Sequence, residues 1–269
     1  MDVLSSYYNF VVRIPSVKLP TGIETVPDFY KHSLFVCVFF SILNFLIPVV
    51  SKALYPKWYA SLTDKKKIEY PCYLGSMLHH AIVVPAAWLF VYYDAILVYD
   101  NNSLDYTNFL RIVAPIMSGF ILCDTLFFAL PLALKMDFEY AFHHAMGIYL
   151  IYLFLYGPGN LTRFYPLLII CETTNVVFNS AWLLRLAGFR DTPLVVFLEL
   201  FFVLLFILIR TVNLTIAFFA IFFSEEAKAY GVGKIVFPMI SLLQFFWLYK
   251  IFKSLASRNS KPADKKKSK

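Results

Sequence analysis

The 269-residue sequence predicts an all-α, polytopic helical membrane protein with about seven transmembrane helices. Three observations carry that prediction. First, 60% of residues are hydrophobic and 19% aromatic, with only 15% charged, whereas soluble domains carry about 25% charge. One water-soluble core cannot hide 29 Phe and 18 Tyr. Second, the apolar residues gather into long runs separated by short polar stretches. Third, the basic residues fall unequally on the connections between those runs.

A membrane-crossing helix needs about 20 mainly apolar residues. The runs are Ser33–Val50, Tyr73–Tyr99, Leu110–Leu134, Ala141–Gly157, Phe164–Leu184, Leu194–Phe223 and Val232–Phe252. The fourth is the shortest and the sixth the longest, and no connection is long enough for a soluble domain. Connections 51–72, 135–140, 185–193 and the C-terminal tail hold 15 Lys and Arg, against 7 on the opposite side. The richer side is predicted to be cytosolic, which puts the N-terminus in the lumen and the C-terminus in the cytosol. Sequons at Asn101 and Asn160 fall in connections assigned to the lumen.

The net charge of +7 is local: residues 253–269 hold seven basic side chains against Asp264 alone. A solvated basic tail of this kind does not make a nucleic-acid-binding face, and no nucleic-acid partner is expected. Lys266 and Lys267 stand fourth and third from the end. That is a dilysine pattern of the kind read by cytosolic coat machinery, and it predicts retrieval to the endoplasmic reticulum. Cys37, Cys72, Cys123 and Cys171 lie in or beside apolar runs without framework spacing, and are expected to be small buried hydrophobes.

Ionisable side chains inside lipid are costly, so each calls for a role. The runs contain His79 and His80, Asp124, His143 and His144, Glu172, and then Glu199 and Arg210. At about 1.5 Å of rise per residue, most of them fall in the cytosolic half, from five different helices. Arg210 and Glu172 are suited to an interhelical ion pair, and Asn175 and Asn179 share a helix face suited to interhelical hydrogen bonds. Adjacent histidines cannot chelate one ion from a regular helix. The segment Tyr140-Ala141-Phe142-His143-His144 lacks the first histidine of an HxxHH box, so no metal or cofactor is expected.

Three stretches together resemble the TLC-domain family of endoplasmic reticulum membrane proteins. They are Ser76-Met77-Leu78-His79-His80-Ala81, then Asp124 followed by Phe142-His143-His144, and then Glu172-Thr173-Thr174-Asn175-Val176-Val177-Phe178-Asn179-Ser180-Ala181-Trp182. Arg210 is similar to an arginine in the following span of the smaller family members. The resemblance implies a six-helix bundle over residues 51–253 enclosing a lipid-accessible cavity. An N-terminal segment with the first helix (1–50) would precede it, and a basic cytosolic tail (254–269) would follow.

The family includes ceramide synthases, in which a paired histidine with nearby acidic residues transfers an acyl chain from acyl-CoA to a sphingoid amine. The resemblance therefore implies catalytic roles for His143, His144, Glu172 and Asp124. His79, His80, Asn175, Asn179, Glu199 and Arg210 would supply the polar lining of the lipid pocket. The family also includes cargo-handling members, and Thr174-Asn175 stands where the synthases carry a further acidic element. An acyl-CoA-dependent N-acyltransferase and a non-catalytic lipid-binding or cargo-handling protein are thus both implied. Membrane lipid is the expected partner in either case.

Overall fold

The computed structural model describes residues 28–92, 103–135, 138–156 and 165–259. The predicted sequons and the dilysine Lys266 and Lys267 lie outside them. Among the described residues all regular structure is helical. The first three predicted spans are α1 (Phe29–Leu54), α3 (Asp64–Tyr92) and α4 (Ser103–Asp124), with short α2 (Pro56–Ser61) joining the first two. After α4 come a π-helical segment, Thr125–Ala129, and a short α5 (Leu130–Ala133). The fourth span is α6 (Phe138–Tyr156), and the fifth is split into α7 (Tyr165–Ile170) and α8 (Thr173–Leu186). The sixth comprises α9 (Pro193–Leu205), a second π-helical segment, Phe206–Asn213, and α10 (Leu214–Phe222). After α11 (Glu225–Lys228) and a short 3₁₀ turn, α12 (Val236–Asn259) is the last.

Local chemistry fixes several of these limits. Gly188 takes φ +98° just past α8, a left-handed conformation that costs glycine little and ends the helix. Thr192 then caps α9 by accepting from the Val195 amide, with Pro193 in the first helical turn. Among the described residues six helical stretches are long and apolar enough to cross a membrane: Phe29–Leu54, Asp64–Phe90, Arg111–Ala133, Tyr165–Leu186, Pro193–Phe222 and Gly231–Ser257.

The fourth predicted span, α6, is not among those six. It nevertheless runs the depth of the bundle. Glu139 near its start accepts from Lys250 Nζ, near the end of α12, at 2.5 and 2.7 Å. Phe154 near its end packs on Phe237 near the start of α12. The two helices are antiparallel over 15 residues, about 22 Å of rise.

The packing partners close a ring. α3 touches α4, α4 touches α6, α6 touches α12, α12 touches the second π segment and α10, α9 touches α8, and α8 returns to α3. Six helical passes thus form a barrel, and α1 lies outside it against α3 and α4. Large apolar side chains such as Phe45, Phe197, Leu200 and Leu242 are exposed on the outer faces. Backbone bonds satisfied within helices leave such a surface compatible with hydrocarbon.

Two observations explain how α1 is held and how the barrel is closed. A Cβ at Gly119 of α4 would lie 2.3 Å from the Ser33 carbonyl oxygen and 2.7 Å from Val36 Cβ, so only glycine lets these backbones approach. Gly119→Val is expected to lower stability by about 1–3 kcal/mol and to loosen α1 selectively. Faster proteolysis within 29–54 than elsewhere would show it, and uniform protection would refute it. At one end of the barrel, Leu150, Phe154, Tyr165, Ile169, Ile221 and Phe237 form a dense apolar plug. The opposite end, where Glu139, Arg185, Glu199 and Lys250 lie, is open.

Candidate functional site

A cavity of about 400 Å³ runs inward from that open end. Its mouth is lined by Glu139, Arg185, Glu199, Lys250 and Ser254. Glu139–Lys250 and Arg185–Glu199 are ion pairs across this rim. Below it an aromatic collar is formed by Tyr73, Phe128, Tyr140, Trp182, Phe202 and Trp247. Polar groups then line the inner part: Asp124, His143, His144, Ser76, Asn175, Asn179 and Arg210. Arg210 lies 11 residues deeper than Glu199 on its helix, about 16 Å.

Lys250 and Glu139 are both substantially exposed, so solvent competes for them. Lys250→Ala should change stability by less than about 1 kcal/mol, measured by thermal unfolding in detergent. A larger loss would mean that the rim pair holds the barrel together.

The polar inner part is built from two separate constellations. In the first, Asp124 Oδ2 lies 3.2 Å from His144 Nε2, and Thr125 Oγ1 lies 3.0 Å from His144 Nδ1. The Thr125 hydroxyl gives its single proton to the Ile121 carbonyl at 2.6 Å, so it accepts from Nδ1–H. Two facing lone pairs would repel, so this ion-pair contact favours one proton on either the carboxyl or the imidazole. Whichever side carries it, the dyad is electroneutral. His143 stands apart from this dyad: its ring packs edge-on against Trp247 at 4.9 Å. Its Nδ1 is buried and has no hydrogen-bond partner among the described residues.

The second constellation is a relay. Asn179 Nδ2 donates to Ser76 Oγ at 3.0 Å, and Ser76 contacts His80 Nδ1 at 3.2 Å. His80 Nε2 meets Glu172 Oε2 at 2.9 Å. Asn175 Nδ2 donates to the same oxygen at 2.6 Å, and Arg210 Nη2 faces Glu172 Oε1 at 3.6 Å. Arg210 Nε donates to Thr174 Oγ1 at 2.7 Å and to the Cys171 carbonyl at 3.1 Å. Glu172 thus has His80 and Asn175 at Oε2 and the Arg210 charge opposite Oε1, and it joins α3 to the fifth and sixth spans.

The backbone departs from α-helix at this level in three of the six passes. The π segment Thr125–Ala129 begins beside Asp124, Arg210 lies within the other π segment, and the fifth span breaks at Cys171 and Glu172. Interruptions of this kind survive in a membrane only where the freed groups find partners, and π turns concentrate at functional sites. The carbonyl freed at Cys171 takes its bonds from Arg210 and Thr174.

Of the residues singled out from sequence, Asp124, His143, His144, Asn175, Asn179, Glu199 and Arg210 line one cavity. His80 and Glu172 stand one bond behind it. Glu172 is paired with His80 and Arg210 rather than with the His143–His144 doublet, and Glu199 belongs to the rim. His79 lies elsewhere: it is 1% exposed, stacks on Phe120 at 4.0 Å and has no hydrogen-bond partner among the described residues at either ring nitrogen. Sequence reasoning missed Ser76 and Trp247, which line the cavity, and Thr125 and Thr174, which bond His144 and Arg210. Ser76 had a readable signal, since it precedes His80 by one helical turn.

A closed barrel of helical passes around a polar-floored cavity defines a multi-pass membrane protein. The TLC domain family model matches residues 32–253, and the chain belongs to that family. No curated protein and no solved structure matches it.

Proposed function

We propose that this is an endoplasmic reticulum protein of lipid metabolism or membrane-lipid homeostasis. In this reading its cavity transfers an acyl group from acyl-CoA to the amine of a membrane lipid. The observation that carries the reading is the electroneutral Asp124–His144 dyad beside the unpartnered Nδ1 of His143, inside an aromatic-lined cavity. A volume of about 400 Å³ is within the range of small-ligand sites, about 300–1,000 Å³. The basic connections gather at the mouth end, which supports a cytosolic mouth and access for acyl-CoA. The terminal Lys266 and Lys267 support residence in the endoplasmic reticulum.

The chemistry balances with the residues present. The amine nitrogen attacks the thioester carbonyl carbon, so that a C–N bond forms and the C–S bond breaks. His143 takes the amine proton, and the Asp124–His144 dyad gives its shared proton to the departing thiolate. Proton return from His143 to the dyad resets the site, leaving amide and free CoA thiol. Glu172, bonded to His80 and Asn175 and facing the Arg210 charge, fixes the helices behind the site.

The bonding of Glu172 to His80 and Asn175 within the protein favours one second reading, a non-catalytic lipid-binding or cargo-handling protein whose polar relay is architectural. Purified protein incubated with labelled acyl-CoA and long-chain amines decides between them. Amide product that disappears in His143→Ala supports transfer. Folded protein giving no product beside an active control overturns it.

A further inference from the structure

The guanidinium of Arg210 is oriented without being used up. Its side chain is 5% exposed, and it lines the cavity. Nε holds it through the bonds to Thr174 and Cys171. Nη2 has no hydrogen-bond partner among the described residues, because Glu172 Oε1 at 3.6 Å is beyond hydrogen-bonding distance. A buried, charged donor in this state has given up water without regaining its bonds, which is costly unless a ligand completes them. Asn175 and Asn179 each spend one amide hydrogen within the protein and retain another beside it.

Charge limits what can fit. Arg210 is balanced by Glu172, the Asp124–His144 dyad is neutral, and the two rim pairs are internally balanced. A multiply charged phosphate would arrive uncompensated. A single oxygen acceptor, neutral or singly charged, at the end of an apolar chain matches the polar floor and the aromatic collar above it.

We infer that Arg210, with Asn175 and Asn179, forms a binding site for the carbonyl-type oxygen of a fatty acyl group. That oxygen belongs either to a thioester or to a free carboxylate. The inference rests on the acyl-handling reading above for the identity of its ligand, while the site itself rests on the unspent donors.

Binding to intact, detergent-purified protein tests it without turnover. The probes are two pairs: hexadecyl-CoA, which lacks a carbonyl, with S-(2-oxoheptadecyl)-CoA, which carries one, and hexadecanol with palmitate. Wild type is expected to bind the carbonyl-bearing CoA analogue, or palmitate over hexadecanol, about 10–100-fold more tightly than its carbonyl-free counterpart. Whichever pair shows the preference identifies thioester or carboxylate as the source. Arg210→Lys keeps the charge opposite Glu172 but loses the planar fork, and should erase most of that ratio. Glu172→Gln combined with Arg210→Gln keeps the floor neutral and should erase it as well.

The ratio is measured within one protein, so a merely structural loss does not produce the expected result. Equal affinities in wild type, a ratio unchanged by both variants, or no binding of any probe overturns the inference. Retained carbonyl preference without amide formation overturns acyl transfer alone.

Discussion

Glu172→Ala is expected to be among the most destabilising single substitutions in this protein, by about 3–5 kcal/mol. The carboxylate receives His80, Asn175 and the Arg210 charge at once. Its removal leaves Arg210 buried beside a void, with bonds only through Nε. Arg210→Leu should be comparably damaging, because it leaves the Glu172 carboxylate facing an apolar group. Replacing both by Gln should cost far less than the sum, since neither charge is then stranded. Unfolding in mixed micelles would read this, with the double variant as the decisive sample. Additive losses would show that the two residues act independently and that the ion pair has no part in joining the fifth and sixth spans.

The second large effect concerns chemistry. His143→Ala is expected to lower acyl transfer by about 10²–10⁴-fold with little change in stability, because no hydrogen bond within the protein is lost at its Nδ1. Asp124→Asn should act differently. The amide cannot share a proton with His144 Nε2 as the carboxyl does, so thiolate protonation slows while acyl-CoA still binds. Single-turnover measurements separate the cases, with KM held within a few-fold in both. If His143→Ala instead unfolds the protein and leaves the specific rate of the folded remainder intact, the ring against Trp247 is packing and not a base.

Much of the architecture is legible in the sequence because lipid imposes a coarse, strong rule: an apolar run must become a helix. Among the described residues six of the seven runs are helices long and apolar enough to span, and the fourth, α6, is a 19-residue helix that runs the depth of the bundle beside them. Convergence at one cavity was also readable, since Asp124, His144 and Arg210 are too costly to face lipid and must turn toward one another or a polar interior. Pairing was not. Nothing in the order of residues says that Glu172 meets His80 rather than the His143–His144 doublet, because that choice depends on helix rotation. Rotation is set in turn by π turns and by the break at Cys171, for which no single residue type is a signal. The Gly119 contact is a further case, since an isolated glycine in a helix does not announce which neighbour approaches it.

The π segment around Arg210 has a consequence for how this chain tolerates change in length. A π turn holds one more residue than an α turn, and each residue of an α-helix advances the face by about 100°. Removing one residue between Phe206 and Asn213 would let the sixth pass relax to continuous α-helix, and because the π segment already holds the surplus residue, the helix beyond it would keep its face. Ala217, Phe218 and Ile221, now buried, would stay turned inward, and the change would be confined to the setting of Arg210 and its immediate neighbours. One surplus residue thus acts as slack between the half of the helix that forms the cavity wall and the half that plugs the barrel, and a single-codon deletion there would leave the plug in place, whereas the same deletion within α10 would turn the helix beyond it by about 100°.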